Sequence, residues 1–304
     1  MSEAFALRGV SKRFGQTHAL RAVDLVVPHG SVFGLIGPNG AGKTTTMSLI
    51  SGFLRPDVGT IEVLGGPPDA MRTKGRLSAL PQDAVLGREM RVRAHLVHFG
   101  RLQGLAPDRA HAEADRVLGV VGLPDAAERK AKTLSHGMLK AVGVAQEFLG
   151  DPALVLLDEP TAGLDPRRAF ELRGVIAAMR GARTVLVSSH NLHELEKLCD
   201  RTAFHDAGRV VACDEMAALL RQDEEVRIVL GAGPCPLERL AGLEGVDVRW
   251  DEAERCLHLR FSPGPGREAE DVTGLALRAL LDGGARIAGV TRGASLERRY
   301  LEMS

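Results

Sequence analysis

The sequence predicts an α/β fold, a mostly parallel sheet carrying an inserted helical lobe, followed by a smaller α+β domain. Three observations point there. Short apolar runs alternate with helical stretches up to about Asp214, two consecutive helical patterns interrupt that alternation, and beyond about Leu220 the pattern changes to strict period-two alternation. Residues 31–36 read as a buried strand, followed by a glycine-rich turn and a helix over 44–54. Residues 93–105 and 107–121 have helical periodicity and form the expected lobe. Residues 154–157 and 184–188 are further short β-rich runs, each leading into a polar loop. In the last part Val226, Ile228 and Leu230 alternate with polar neighbours. So do Val246, Val248 and Trp250, and then Leu257, Leu259 and Phe261, as half-buried antiparallel strands do. A loop with Pro263, Gly264, Pro265 and Gly266 separates these from a helix at 268–281, a strand at 286–291 and a closing helix at 295–302. The acidic run Asp223, Glu224, Glu225 reads as a solvated linker, and His193 and His205 as solvated or core residues. At about 150 residues per domain, 304 residues suggest two domains. The change of pattern divides them near residue 221, as 1–220 and 221–304.

Composition narrows the function classes. The 39 Lys and Arg cancel the 39 Asp and Glu, which argues against a broadly basic nucleic-acid surface. The uncharged stretch 25–42 approaches the length of a bilayer helix but contains Pro28, His29, Pro38, Asn39 and several glycines, so no continuous apolar helix forms there. The N-terminus lacks a signal-peptide pattern. Cys199, Cys213, Cys235 and Cys256 are widely spaced, indicating neither a zinc site nor a disulfide framework and fitting a cytoplasmic chain.

The strand at 31–36 runs into Gly37, Pro38, Asn39, Gly40, Ala41, Gly42, Lys43 and Thr44, which fits G-x-x-x-x-G-K-[ST]. Glycines let successive backbone N–H groups wrap around phosphate oxygens. The helix that follows adds the positive end of its dipole. Lys43 reaches β- and γ-phosphates, and the Thr44 hydroxyl suits Mg2+. The apolar run 154–157 ends in Asp158 and Glu159. An acid at the carboxyl end of a strand beside a phosphate loop is placed to serve Mg2+, and Glu159 to take a proton from an attacking water.

With these motifs in place the chain resembles the nucleotide-binding subunit of ATP-binding cassette (ABC) transporters, a P-loop NTPase family, over roughly residues 1–215. Leu134, Ser135, His136, Gly137 and Met138 are similar to the family signature LSGGQ, with His136 for a glycine and Met138 for the glutamine. Pro160 to Asp165 resembles the D-loop, His190 the switch histidine, and Gln82 the Q-loop glutamine. Phe14 falls where the family places an aromatic ring on adenine, with an ordinary core role beside Gly15 as the lesser alternative. The resemblance implies ATP and Mg2+ as ligands, bound through Phe14, residues 37–45 including Thr45, Gln82, Ser135, Gly137 and Asp165. Metal is implied at Thr44, Gln82 and Asp158, and catalysis at Lys43, Glu159 and His190. It also implies a head-to-tail pair of cassettes, homodimeric or heterodimeric, with each ATP between one phosphate loop and the opposite Ser135–Gly137 segment.

The closing stretch 290–302, with Ser295, Leu296, Glu297, Tyr300, Leu301 and Glu302, is similar to the ending of multidrug and antibiotic-resistance exporter ATPases. Such subunits are peripheral to the inner face of the membrane and work with a separate permease, docked beside Gln82 and the lobe. The expected function is therefore ATP hydrolysis that energises export. Nucleic acid is not an expected partner, and the small domain is assigned to dimerisation or permease contact. A soluble cassette acting on nucleic acid or ribosomes, or an ATP-sensing regulator, is the alternative.

Overall fold

Two long strands that the hydropathy pattern conceals open the chain. In the computed structural model, which describes residues 2–84, 86–216, 224–240, 242–262 and 268–292, β1 (Glu3–Phe14) pairs antiparallel with β2 (Thr17–Pro28). A later strand, β4 (Val58–Val63), covers the other edge of β1, giving the order β2-β1-β4. The start of the chain is thus an antiparallel sheet, not the strand–helix alternation expected. Ala4, Phe5, Ala6 and Leu7 are all buried and the pairing shifts register along β1, so no clean period of two survives.

The second sheet has the order β5-β6-β7-β3-β8-β9. Its members are β3 (Val32–Ile36), β5 (Leu77–Leu80), β6 (Leu154–Asp158), β7 (Thr184–Ser189), β8 (Arg201–Asp206) and β9 (Arg209–Glu215). The pairs β5/β6, β6/β7, β7/β3 and β3/β8 are parallel. Strands β3, β6 and β7 are buried along their whole length, which is why they read as continuous apolar runs. Phe33, Leu35, Leu156 and Leu186 share one apolar cluster with Phe5, Leu7, Leu49 and Ile50. That cluster fastens both sheets to α1 (Lys43–Ile50), and truncating a side chain such as Leu35 to Ala costs about 2–5 kcal/mol.

The lobe holds α2 (Val92–Leu102) and α3 (Pro107–Val120), and α4 (His136–Gln146) packs on it. α3 starts as its sequence dictates, with Pro107 in the first turn and Asp108 beside the positive helix end. After β6 come α5 (Pro166–Ala177) and, after β7, α6 (Leu192–Leu198).

Backbone contacts divide the chain into two compact units, Met1–Asp214 and Glu215–Ser304. In the second, β10 (Glu224–Leu230), β11 (Val246–Asp251), β12 (Cys256–Phe261) and β13 (Ile287–Arg292) form an antiparallel sheet in the order β11-β12-β10-β13. Val226, Ile228, Leu257, Leu259 and Phe261 pack on Val272, Ala276 and Leu280 of α7 (Ala269–Asp282). The acidic run is not simply a linker. Glu225 lies inside β10, 3% exposed, and accepts a 2.6 Å hydrogen bond from His258 Nδ1. The loop at 263–266 and the helix expected at 295–302 lie outside the described residues.

Candidate functional site

Register along the parallel sheet collects the motifs at one level. Ile36 is opposite Ser189, and Ser188 is opposite Asp158. The residues that follow β3, β6 and β7, namely Gly37, Glu159 and His190, therefore emerge side by side at the carboxyl ends of adjacent strands. Ligands of open α/β sheets bind at such edges.

The phosphate loop is shaped by what cannot fit there. A Cβ on Gly37 would overlap the carbonyl oxygen of His205, and one on Gly42 would stand 2.7 Å from the Ala19 carbonyl. Gly42 also has φ +109°, which side chains rarely adopt. Pro38, Asn39, Gly40 and Ala41 complete the loop between them. Gly42 is the cap of α1 and no side chain caps the helix, so the first-turn N–H groups, including those of Thr44 and Thr45, are left for an anion. Lys43 Nζ folds back onto the loop, donating to the carbonyls of Gly37 at 2.6 Å and Pro38 at 3.2 Å. Burial pulls its pKa down, while the nearby Glu159 and Asp158 carboxylates oppose that pull. His205, fully buried beneath the loop, is held neutral with its pKa pushed down to about 4, by burial first and by Lys43 second. It is a core residue.

Thr44 Oγ1 donates to Asp158 Oδ2 at 2.7 Å, and Ser188 Oγ donates to Asp158 Oδ1. The same Ser188 Oγ accepts from the backbone N–H of Glu159 at 3.0 Å. Glu159 has φ +50°, a left-handed conformation that costs a non-glycine residue about 1–2 kcal/mol. The residue is 5% exposed, and its carboxylate meets His190 Nδ1 with both oxygens at 3.0 Å, while the His190 side chain stays largely exposed. A buried carboxylate thus meets an exposed imidazole at the carboxyl ends of adjacent strands. Behind them, Thr161 Oγ1 and Arg173 both hold the Glu194 carboxylate, at 2.6 and 2.8 Å.

The remaining expected residues stand apart from this centre. Phe14 is 48% exposed at the β1–β2 turn with Lys12 Nζ 5.7 Å from its ring centroid, so it is not a core residue. Gln82 is exposed two residues beyond β5, its carbonyl accepting from Lys140 Nζ at 3.2 Å. Ser135 caps α4 by accepting from Met138 N, and Gly137 lies against Arg168 and Leu164. His136 is exposed, with its Nε2 3.3 Å from where a Cβ on Gly163 of the D-loop would stand. The Asp165 side chain is engaged in capping α5 through Arg168 N at 3.0 Å. Sequence reading missed Ser188, the clamp on both acids. Its one local signal is a pair of serines closing an otherwise apolar strand.

The family model described as ABC transporter matches residues 20–162, which span the phosphate loop, the signature and both acids. Over 99% of its length the chain is 35% identical to the daunorubicin resistance ATP-binding protein DrrA3 of Streptomyces coeruleorubidus, covering 96% of that protein. The chain belongs to the ATP-binding subunits of ABC transporters. It is also 39% identical to the daunorubicin/doxorubicin resistance ATP-binding protein DrrA of Streptomyces peucetius, over 88% of this chain and 84% of that one. It is 36% identical to a Nod factor export ATP-binding protein I of Burkholderia lata, over 75% and 76% of the two chains. A solved ATP-binding subunit of an ABC transporter superposes with a TM-score of 0.64 at 27% identity, over 71% of this cassette chain and 91% of that chain. The activity of the family is ATP hydrolysis coupled to transport, and among the described residues of this cassette no helix is long and apolar enough to cross a membrane.

Proposed function

We propose that this cassette binds ATP with Mg2+, pairs with a second cassette, and by hydrolysis energises export through a separate membrane permease. The observation that carries the reading is the single level at which Lys43, Thr44, Asp158, Glu159 and His190 converge, on a chain aligned along its whole length with a drug-resistance ATP-binding protein.

The donor set fits Mg2+. Thr44 Oγ1 and Asp158 Oδ2 are hard oxygens 2.7 Å apart at the edge of the glycine cradle, and Gln82 follows the neighbouring strand β5. When bound, the cation neutralises charge on the β- and γ-phosphates. Lys43 and the α1 N–H groups bind the same oxygens, and Phe14 offers a ring to adenine. Glu159 accepts a proton from the water whose oxygen attacks the γ-phosphorus. The bond from that phosphorus to the bridging oxygen breaks toward ADP, and the proton passes on to phosphate. His190, held on Glu159 through Nδ1, presents its exposed edge to the γ-phosphate. Ser135 and the Gly137 N–H contact the γ-phosphate of the opposite cassette, with Asp165 positioning the D-loop between them. ATP thereby joins the pair, and hydrolysis releases it. The permease docks beside Gln82 and the lobe, which would hold the cassette peripheral to the inner face of the membrane.

Glu159→Gln tests this directly. The variant should bind ATP normally, turn over at less than about a hundredth of the wild-type rate, and accumulate as an ATP-bound dimer on a sizing column. Wild-type turnover would remove Glu159 from the role of base.

A further inference from the structure

Strand β5 and the last turn of α4 meet at a carboxyl group that, among the described residues, no cation answers. Glu147 closes α4 and is 4% exposed. Its backbone carbonyl accepts from Ser78 Oγ at 2.7 Å, and its carboxyl accepts from the backbone N–H of Ala79. β5 is an outermost strand of its sheet, and an edge N–H is left needing such a partner. Gln146 adds a third bond, from its amide nitrogen to Glu147 Oε1 at 3.0 Å, while its oxygen meets His95 Nε2 of α2 at 2.8 Å. One turn back in α4, a Cβ on Gly143 would stand 3.4 Å from Leu80, so helix and strand are in close contact.

The titratable groups around this joint leave the carboxyl alone. From α2 come His95, its pKa lowered by burial, and His98 beside it. From α3, Arg116 turns to Glu113 and to the Phe148 carbonyl, both at 2.7 Å. From β5 only the Ser78 hydroxyl approaches. A carboxylate here would be a buried charge without a counter-ion, placed at the negative end of the α4 dipole. Burial accordingly pushes the carboxyl pKa up to about 7.

We propose that Glu147, in its protonated form, is a positioning residue of the ATPase, fixing the end of β5 that leads into Gln82 to the helix that begins at Ser135. Gln82 follows β5 by two residues and Ser135 caps α4, so a joint between the two elements sets one against the other. The inference rests on the proposed function, in which both residues serve nucleotide, and adds a residue that touches neither. The closed joint holds the proton, and an opened joint releases it in the ordinary glutamate range. Opening therefore becomes easier as pH rises from about 4.5 through 7, and levels off above.

Hydrogen exchange and steady-state ATPase of the full-length chain with ATP and Mg2+, at pH 5.5 and 7.5, test this in wild type, Glu147→Gln and Glu147→Ala. Glutamine keeps a neutral acceptor for the Ala79 N–H. Taking wild type relative to Glu147→Gln cancels the intrinsic pH dependence of exchange and the titration of His95 and His190. On that ratio, exchange at residues 78–82 should quicken about tenfold or more between the two pH values. The kcat ratio should fall at least about twofold over the same step, with KM for ATP unchanged because the phosphate loop is no part of the joint. Glu147→Ala should have a low kcat at both pH values. A kcat ratio that stays level would overturn the positioning role while leaving the proposed function intact. Exchange that quickens evenly over every slow amide would reduce Glu147 to a residue of global stability and overturn it too. A wild type without ATPase activity at either pH would bring down the proposed function, and the positioning role with it.

Discussion

Ser188 joins two functions at one atom, since its Oγ donates to Asp158 and accepts from the Glu159 N–H. Ser188→Ala takes a partner from the buried Asp158 carboxylate and leaves the Glu159 N–H only the Ser188 carbonyl at 3.3 Å. It should cost about 1–3 kcal/mol in urea unfolding and lower turnover roughly tenfold or more, because Glu159, the proposed base, loses its aim. Turnover at the wild-type rate would reduce Ser188 to a packing residue. Glu147 tells a different story, because nothing charged answers it. Burial raises its carboxyl pKa to about 7, outweighing hydrogen bonds from Gln146 and the Ala79 backbone that pull the other way. The folded state then holds a proton that the unfolded chain has released, so stability falls as pH rises from about 4.5 through 7. The full penalty, about 3 kcal/mol as an upper bound, is present above that range. Glu147→Gln should therefore stabilise the protein at pH 8 and change little at pH 4, by urea titration at both values. An effect of equal size at both would remove the ionisation as its cause. His95, whose burial lowers its pKa, works in the opposite sense and loses stability as pH falls through the ordinary histidine range.

The helix ends that carry expected site residues divide into those occupied by the chain itself and those left open. α4 and α5 are capped by Ser135 and Asp165, whereas α1 has no side-chain cap. The caps were legible in the sequence as motif residues, but their capping role was not, because a side chain's partner depends on the turn that it closes. Asp165→Ala should cost about 1 kcal/mol of stability, and Asp165→Asn little, since asparagine caps as well. If the Asn variant nevertheless loses ATPase activity in the dimer, the carboxylate has a role across the interface beyond capping. β1 shows why an element can be unreadable. Four consecutive buried residues and repeated register shifts erase the alternation that betrays a strand, whereas β11 keeps its alternation and was plain.

At the scale of the whole molecule, the cassette and the smaller unit have separate apolar cores, one around Phe33 and Leu156 and one around Ile228 and Leu259. Each buries its own sheet, which is the condition for folding alone. A chain ending at residue 220 should then keep ATP binding, measured by nucleotide fluorescence, while losing dimerisation or permease retention. Unchanged assembly would take both roles away from the second unit.

The phosphate loop, the paired acids and the lobe were legible in the sequence by itself because each is a local pattern. A glycine spacing, a strand ending in carboxylates or a helical period needs no distant partner to be read. Only tertiary structure decided that Ser188 clamps Asp158 and Glu159, that Glu159 faces His190, that Glu225 is buried against His258, and that Glu147 joins α4 to β5. Those are pairings across tens of residues, set by which strands lie adjacent and in what register. That choice is made by the burial of the whole sheet, and no single segment encodes it.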